Sequence, residues 1–349
     1  MKYGLLTTSS VNIGDEVQSI ATLRFLPHID YVIHRERTNK FKTDLKVLCI
    51  MNNWWLWEKN SFPPSDSIQP LFVSFHLQYR LRNSAFMSSK VIDYFKRNEP
   101  IGCRDIGTAN FLKQYGINAY FSGCLTSTLL PNKKLKDKFI HDYILCVDVP
   151  EDIVDTIKKK TSKKVLCIGR HQNICLTTSQ RFQLAKLTLF LYHNASCVVT
   201  VALHAALPST AFDTPVCVIA REGEDFKSRF EGLESCFNMY TAEDLLSKEL
   251  YNFDDPPNNP NVIDSIREPL IQRCKEFTQF DRNRSVFDDI YNPLFDFARL
   301  TPYDEESIKK AFYFIGRKDL LKLLFDRFIH GKNRHDYLNN DISYFNDIY

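Results

Sequence analysis

Short β-branched segments alternate with amphipathic stretches of helical periodicity over most of the chain. This alternation is typical of parallel sheets covered by helices on both faces. The sequence therefore predicts an α/β protein of two Rossmann-like, doubly wound domains that face a central cleft. Sheets of this kind bind ligands beyond the carboxyl ends of their strands. The strands are predicted at residues 3–7, 30–34, 46–51, 71–76, 100–104, 118–122, 143–149, 164–168, 197–201 and 215–220.

A lysine-rich stretch at residues 131–142 has no apolar periodicity and predicts a linker between the two domains. The length of 349 residues also favours two domains. The boundaries are then 1–135 for the N-terminal domain and 136–300 for the C-terminal domain. Residues 301–349 predict a helical C-terminal extension with a polar, aromatic tail.

Composition and charge exclude several classes of protein. The net charge of +3 is too small for a nucleic-acid-binding face. The ten cysteines form no C-x-x-C pair and no zinc-ligand spacing, and several lie in apolar segments, which favours a reducing compartment. No signal peptide core or uninterrupted apolar span is present. We expect a cytoplasmic protein with no metal, no nucleic-acid partner and no membrane span.

The segment Asn12-Ile13-Gly14-Asp15-Glu16 joins the first strand to the first helix. Glycine lets backbone approach a ligand, and a helix N-terminus favours an anion. Asp15 is followed three residues later by Gln18, the pattern of a capping box. Asp15 is therefore either a helix cap or a base that acts on a hydroxyl. The segment is neither GxGxxG nor a P-loop, so it does not specifically indicate nucleotide phosphate binding.

Two further candidates follow strands in the first half. Arg104 ends the strand predicted at 100–104, where its planar guanidinium can bind a carboxylate or phosphate. The alternative is a surface pair with Asp105. Ser122 and Thr126 belong to a polar cluster around a glycine, and their hydroxyls can bond a ligand or simply form a turn.

The second half offers a histidine and a basic cluster. His204 lies where a buried-type strand ends and a helix begins, and its near-neutral pKa suits general acid catalysis. The alternative is a structural histidine in an apolar environment. Arg221, Lys227 and Arg229 follow the next strand, as anion contacts or as a solvated loop.

Several segments in order resemble the polysaccharide pyruvyltransferase family, and most closely its bacterial branch with the phrase GCLTLTL. The resemblance covers approximately residues 1–233. It is carried by NIGDEVQSIATLRFLP, IMNNWWLWEKNSFPPSDSIQPLFVSFH, PIGCRDIGTANFLKQYGINAYFSGCLTSTL, RFQLAKLTLFLYHNASCVVT, LHAALPSTAFDTPVCVI and DFKSRFEGL.

The resemblance implies a GT-B-like fold and transfer of a pyruvyl group from phosphoenolpyruvate to a sugar, usually as a cyclic ketal. It implies that His204 is the general acid that protonates the donor's methylene carbon, that Arg104 holds the donor's phosphate or carboxylate, and that Asp15 is the base or orients the acceptor. The N-terminal domain would be the acceptor side. Further donor contacts would be Lys227, Arg229 and Arg221, and acceptor or loop contacts would be Asn12, Gly14, Ser122 and Thr126.

The chain departs from the family's Arg-Leu-His motif at Ala202. Loss of one charge-assisted hydrogen bond, roughly 1.5–3 kcal/mol, weakens binding by one to two orders of magnitude. Either Lys227, Arg229 or Arg221 substitutes, or the donor differs, or catalysis is lost. Two alternatives therefore stay open: a GT-B-type glycosyltransferase that uses a nucleotide sugar, and a catalytically silent carbohydrate-binding or scaffold homologue. No cofactor is expected beyond the co-substrate, and the sequence is compatible with a homo-oligomer.

Overall fold

The structure is a computed structural model that describes residues 1–8, 10, 12–55, 61–83, 85–136, 142–171, 176–247 and 250–288. Two parallel sheets with flanking helices make up these residues, which confirms the predicted α/β class. Each sheet comes from one half of the chain. The predicted extension at 301–349 lies outside the described residues, and the domain boundaries remain a prediction.

The first sheet has the strand order β2-β1-β3-β5. Its strands are β1 (Lys2–Thr7), β2 (Tyr31–His34), β3 (Val47–Ile50) and β5 (Ile68–Leu71), with a parallel pair of β4 (Trp54–Trp55) and β6 (His76–Leu77) beside it. The pair β7 (Ile101–Cys103) and β8 (Ala119–Phe121) extends this sheet. Gly102 N donates to Phe72 O at 3.0 Å, and Phe75 N donates to Gly102 O at 3.0 Å.

The helices of the first half connect these strands. They are α1 (Gly14–Leu23), α2 (Ser89–Arg97), α3 (Ile106–Lys113) and α4 (Lys133–Lys136), with 3₁₀ turns at Arg35–Lys40, Tyr79–Leu81 and Leu125–Thr128. Helix α4 lies inside the predicted linker, of which residues 137–141 are not described.

Two local predictions for this half are wrong. The strand predicted at 71–76 is interrupted, because Ser74 has a φ of 56° that turns the chain between β5 and β6. The capping box is absent: α1 begins at Gly14, and its N-cap Ile13 makes no side-chain bond. Asp15 lies within the first turn, where Ser10 and Arg35 engage its carboxylate instead.

The second sheet has the order β10-β9-β11-β12-β13. Its strands are β9 (Tyr143–Val147), β10 (Lys164–Ile168), β11 (Cys197–Thr200), β12 (Val216–Ala220) and β13 (Asn238–Thr241). The helices are α5 (Glu151–Lys159), α6 (Thr178–Asn194), α7 (Leu203–Ala211), α8 (Glu224–Phe230), α9 (Ala242–Ser247) and α10 (Ile263–Thr278). The order in which strands are added to the sheet reverses between β9 and β11, so the carboxyl ends of these strands form a crevice of the kind that binds ligands.

A hydrophobic core joins the two halves. Val17 and Ile20 of α1 belong to the same buried cluster as Phe190 of α6 and Leu207 of α7. Deep in this interface, Arg181 Nε and Nη2 donate to the Glu16 carboxylate at 2.7 and 2.8 Å. The two halves leave an opening at the carboxyl ends of the two sheets. Among the helices that the structure describes, none is both long and apolar enough to cross a bilayer.

Candidate functional site

A cleft of about 670 Å³ lies at the carboxyl ends of both sheets. It brings together four residues predicted from the sequence, Asn12, Asp15, Arg221 and Arg229. The rest of its lining was not predicted: Ser10, Asp148, Val149, Pro150, Arg170, His171, Val201, Asp225 and Phe226.

Two loops from opposite halves meet at the floor of the cleft. Ile13 N donates to Arg170 O at 2.9 Å, and Asn12 forms an antiparallel bridge with His171. This pairing of main chains sets the β1–α1 loop against the loop that follows β10. It explains why α1 and the second sheet contribute to one site.

Arg170 is held rigidly in this cleft. Its Nε donates to Asp148 Oδ2 at 2.5 Å, and its backbone N donates to Asp148 Oδ1 at 3.0 Å. Its Nη1 also reaches Asn12 Oδ1 at 3.4 Å. The sequence contained a usable signal, because Arg170 follows the strand predicted at 164–168, as Arg104 follows its own strand.

His204 lies directly behind the cleft at the start of α7. Its side chain is buried, and its backbone (φ −83°, ψ 15°) departs from regular helix. A Cβ placed on Gly14 would lie 3.3 Å from His204 Cβ and 3.3 Å from Arg170 Nη1. Glycine at position 14 thus allows α1 to approach both side chains closely.

Burial and positive charge act on His204 in the same direction. Desolvation lowers the pKa of its imidazole well below the ordinary value, and the guanidinium groups of Arg104, Arg170 and Arg229 lower it further. Both effects disfavour the imidazolium. In the resting protein near neutral pH the ring is therefore uncharged.

Arg104 reaches the same region from the end of β7. The predicted alternative of a surface pair with Asp105 is wrong, because both side chains are buried. Arg104 Nε is fully enclosed and has no hydrogen-bond partner among the described residues. Burial lowers the pKa of this guanidinium, although Cys124 and Asp105 oppose the shift. A buried cation with an unfilled donor is costly, and an anionic ligand would offset that cost.

Asp105 is occupied by partners other than Arg104. It accepts from Thr108 N at 2.8 Å as the cap of α3, and from Arg82 Nη2 at 2.7 Å. Its second oxygen lies 2.6 Å from His76 Nδ1. Burial opposes ionisation of Asp105, but His76 and Arg82 nevertheless hold its pKa below the ordinary range. Burial and Arg104 lower the pKa of His76 to about 4.

Asp15 lines the cleft with its carboxylate held by two hydrogen bonds and one ion pair. Ser10 Oγ donates to Oδ2 at 2.6 Å, and Gln18 Nε2 donates to Oδ1 at 3.4 Å. The fully buried Arg35 lies with Nη1 3.5 Å from Oδ2. The carboxylate is thereby oriented at the cleft surface while its charge is balanced from beneath.

The basic residues after β12 are not equivalent. Arg221 is exposed at the rim and reaches Asp148 O at 3.5 Å. Arg229 lines the cleft and forms an ion pair with Asp225 at 2.7 Å. Lys227 is exposed and is not among the residues that line the cleft.

The hydroxyl cluster of the first half lies apart from the cleft. Ser122 Oγ accepts from Ser74 N at 2.9 Å and donates to Cys103 O at 3.0 Å. Ser122 lines a separate groove of about 450 Å³ against α10. Thr126 is buried, with its Oγ1 3.2 Å from Cys124 Sγ. In the part of the chain that the structure describes, no cluster of His, Cys, Asp or Glu could hold a metal ion.

Residues 80–223 match the sequence model of the family described as polysaccharide pyruvyl transferase. The resemblance is confirmed over this segment. It contains Arg104, Arg170 and His204, and the match supports a glycan-modifying transferase. A solved structure of the wall teichoic acid polymerase TagF aligns with a TM-score of 0.38 and 9% identity, over 93% of this chain and 89% of that one. A search of curated proteins finds no match to the chain.

Proposed function

We propose that this protein transfers a pyruvyl group from phosphoenolpyruvate to a sugar of a polysaccharide or glycan precursor. The observation that carries the proposal is the placement of Arg104 from the first half and Arg170 from the second close enough to His204 to lower its pKa. The donor is small and has two anionic groups, a carboxylate and a phosphate. Two guanidinium groups around one buried imidazole suit such a molecule.

Arg170 is our candidate for the donor contact that the family's arginine would make at the position of Ala202. The family motif would supply an arginine two residues before the histidine, from the end of β11. Here Arg170 comes from the end of the neighbouring strand β10, and its Nη1 lies 3.3 Å from the Cβ position of Gly14 beside His204. We infer that Arg170, together with Arg229 on the cleft wall, takes over the missing donor contact.

The proposed reaction begins with a proton from His204. The electron pair of the donor's carbon–carbon double bond forms a C–H bond at the methylene carbon, which leaves C2 electrophilic. A sugar hydroxyl bonds to C2 as its proton passes to Asp15. A second hydroxyl then displaces phosphate and passes its proton to His204, while the phosphate leaves with its bonding electrons and takes the proton held by Asp15, and the ketal closes. Arg104 and Arg170 hold the donor's anionic groups through both additions.

The acceptor enters from the side of the first sheet in this proposal, because Asp15 lies on α1 at the cleft surface.

None of the nine cysteines in the described residues forms a disulfide. Thiols of this kind suit a reducing compartment, so we place the reaction in the cytoplasm.

Calorimetric titration with phosphoenolpyruvate and with a panel of nucleotide sugars tests the donor. We expect binding of phosphoenolpyruvate alone. His204→Gln should keep that binding but lose pyruvyl transfer to methyl hexosides by about 1000-fold, within the usual contribution of a general acid. The matched control is His28→Gln, since His28 is exposed and far from the cleft on the loop after α1. Its activity should equal that of the wild type.

Three outcomes would contradict the proposal in different ways. Binding of a nucleotide sugar without binding of phosphoenolpyruvate would identify a glycosyltransferase. Silence toward both donors would favour a scaffold or a carbohydrate-binding protein. Full pyruvyl transfer by His204→Gln would remove the assigned general acid.

A further inference from the structure

Cys124 lies beside His204 in the buried wall of the site. Its Sγ is 3.7 Å from His204 Nε2 and 3.2 Å from Thr126 Oγ1, and its side chain is fully buried. Burial raises the pKa of this thiol, while the positive charge of Arg104 acts against the rise. The thiol is therefore protonated in the resting protein, and a thiolate formed there would face a cation.

The environment of His204 creates a requirement that this thiol can meet. The charges of Arg104, Arg170 and Arg229, together with His76, all lower the pKa of the ring, and no described carboxylate forms an ion pair with it. A neutral imidazole that gives up its only N–H proton would become an imidazolate. This anion is strongly basic and costly to bury. The ring escapes this only if its other nitrogen receives a proton in the same step. Nε2 is the nitrogen that faces Cys124 Sγ.

We propose that Cys124 is a proton-supplying residue that acts through His204. The thiol donates to Nε2 and so places the ring proton on Nδ1, the nitrogen left for the donor. When Nδ1–H transfers its proton to the methylene carbon, Sγ–H transfers its proton to Nε2. The S–H and Nδ1–H bonds break, the C–H and Nε2–H bonds form, and the negative charge remains on sulfur near Arg104.

The cycle closes without any other reagent. The second hydroxyl of the acceptor returns a proton to Nδ1 as it displaces phosphate from C2, and Nε2 returns its proton to the thiolate. This inference rests on the proposed pyruvyl transfer, since it describes the source of the proton in that reaction. Cys124 is a positioning residue in this scheme, because it touches the imidazole and not the substrate.

The pH dependence of turnover separates this role from a structural one. We measure phosphate release from phosphoenolpyruvate with methyl hexosides, using full-length Cys124→Ala and Cys124→Ser. At pH 7.5 both variants should lose about 100-fold in kcat with little change in KM. At pH 5 the deficit of Cys124→Ala should be smaller than at pH 7.5, because the fraction of His204 that is protonated from solvent rises as the pH falls. Cys124→Ser should not exceed Cys124→Ala at pH 7.5, since a serine alkoxide is a far poorer product than a thiolate.

Cys236→Ala is the matched control, because Cys236 is equally buried in the same core cluster and lies away from His204. Its pH profile should equal that of the wild type. An unchanged kcat in Cys124→Ala, or an equal loss at pH 5 and pH 7.5, would overturn the proposal.

A second readout does not depend on turnover. In protein labelled with ¹⁵N-histidine, the resonances of His204 should show a neutral ring with its proton on Nδ1, and Cys124→Ala should shift the proton toward Nε2. An Nε2–H tautomer in the wild type, or no change in the variant, would overturn the thiol contact. If the wild type transfers no pyruvyl group, the proposed function fails, and this spectrum still decides whether Cys124 controls the ring.

Discussion

Two arginines with almost the same burial have opposite surroundings. Arg181 is 2% exposed in the interface between the halves, where its Nε and Nη2 donate to both oxygens of Glu16. Arg104 is 1% exposed at the cleft, and its Nε has no partner among the described residues. A protein retains a buried cation without a carboxylate partner only at a cost in stability. We therefore expect Arg181 to stabilise the fold and Arg104 to bind a ligand.

The largest effect should come from breaking the interface pair. Arg181→Gln leaves the Glu16 carboxylate buried with one weak partner, which costs about 3–5 kcal/mol of unfolding free energy. Arg104→Gln should change stability by less than about 1 kcal/mol, since the buried charge that it removes forms no ion pair with a described carboxylate. Urea unfolding followed by tryptophan fluorescence measures both variants. Equal destabilisation by the two substitutions would show that Arg104 is a structural residue.

For ligand binding we expect the reverse order, with a larger effect at Arg104 than at Arg181. Arg104→Gln should weaken phosphoenolpyruvate binding about 100-fold, as expected for two lost charge-assisted hydrogen bonds. Arg170→Gln should weaken it about 10-fold, because part of the Arg170 charge is already compensated by Asp148 at 2.5 Å. Calorimetry gives both affinities. The control is Arg267→Gln, which removes a half-buried arginine paired with Asp264 on α10 and should leave the affinity unchanged.

How far the sequence reached can be judged from these same residues. Arg104 and His204 were predictable because strand ends and helix starts converge at one edge of a parallel sheet. Arg170 also follows a predicted strand, but its contact with the first half, like the contact of Cys124 with His204, depends on which segments meet across the halves, as the Asn12–His171 bridge shows. The capping prediction for Asp15 failed for a related reason: Arg35, distant in sequence, lies close to its carboxylate in the fold.

The pH dependence of stability provides a smaller test of the interface pair. Burial raises the pKa of Glu16 to about 7, although Arg181 opposes the shift. The native state then binds a proton that the unfolded state has released between about pH 4.5 and 7. Stability from this group is therefore fully present below pH 4.5 and is lost as the pH rises through 7.

Calorimetric Tm values at pH 5 and pH 8 measure this loss. Glu16→Gln has no proton to lose, so its Tm should fall by about 2–4 °C less than the wild-type Tm over that interval. The same comparison with Glu36→Gln is the control at a second buried glutamate, which lies near Arg35 and outside the interface. Parallel pH profiles for the wild type and Glu16→Gln would mean that the pair remains ionised throughout.

The smallest effect should come from substitution of Gly14, which lies at the start of α1. A Cβ at this position would meet Asn12 Oδ1 at 3.0 Å, and Arg170 Nη1 and His204 Cβ at 3.3 Å. These contacts are tight enough to displace side chains by a few tenths of an ångström but not to prevent folding. Gly14→Ala should therefore reduce kcat/KM about 3–10-fold, in the range that small misplacements of catalytic groups produce. Its stability should stay within about 1 kcal/mol of the wild type, since alanine favours the helix and the contacts oppose it.

Gly169→Ala is the matched substitution on the other side of the cleft, where the nearest atom, Asp148 Oδ1, is 3.7 Å from the added Cβ. If Gly169→Ala lowers kcat/KM as much as Gly14→Ala does, close packing of α1 against Arg170 and His204 is not what positions the site.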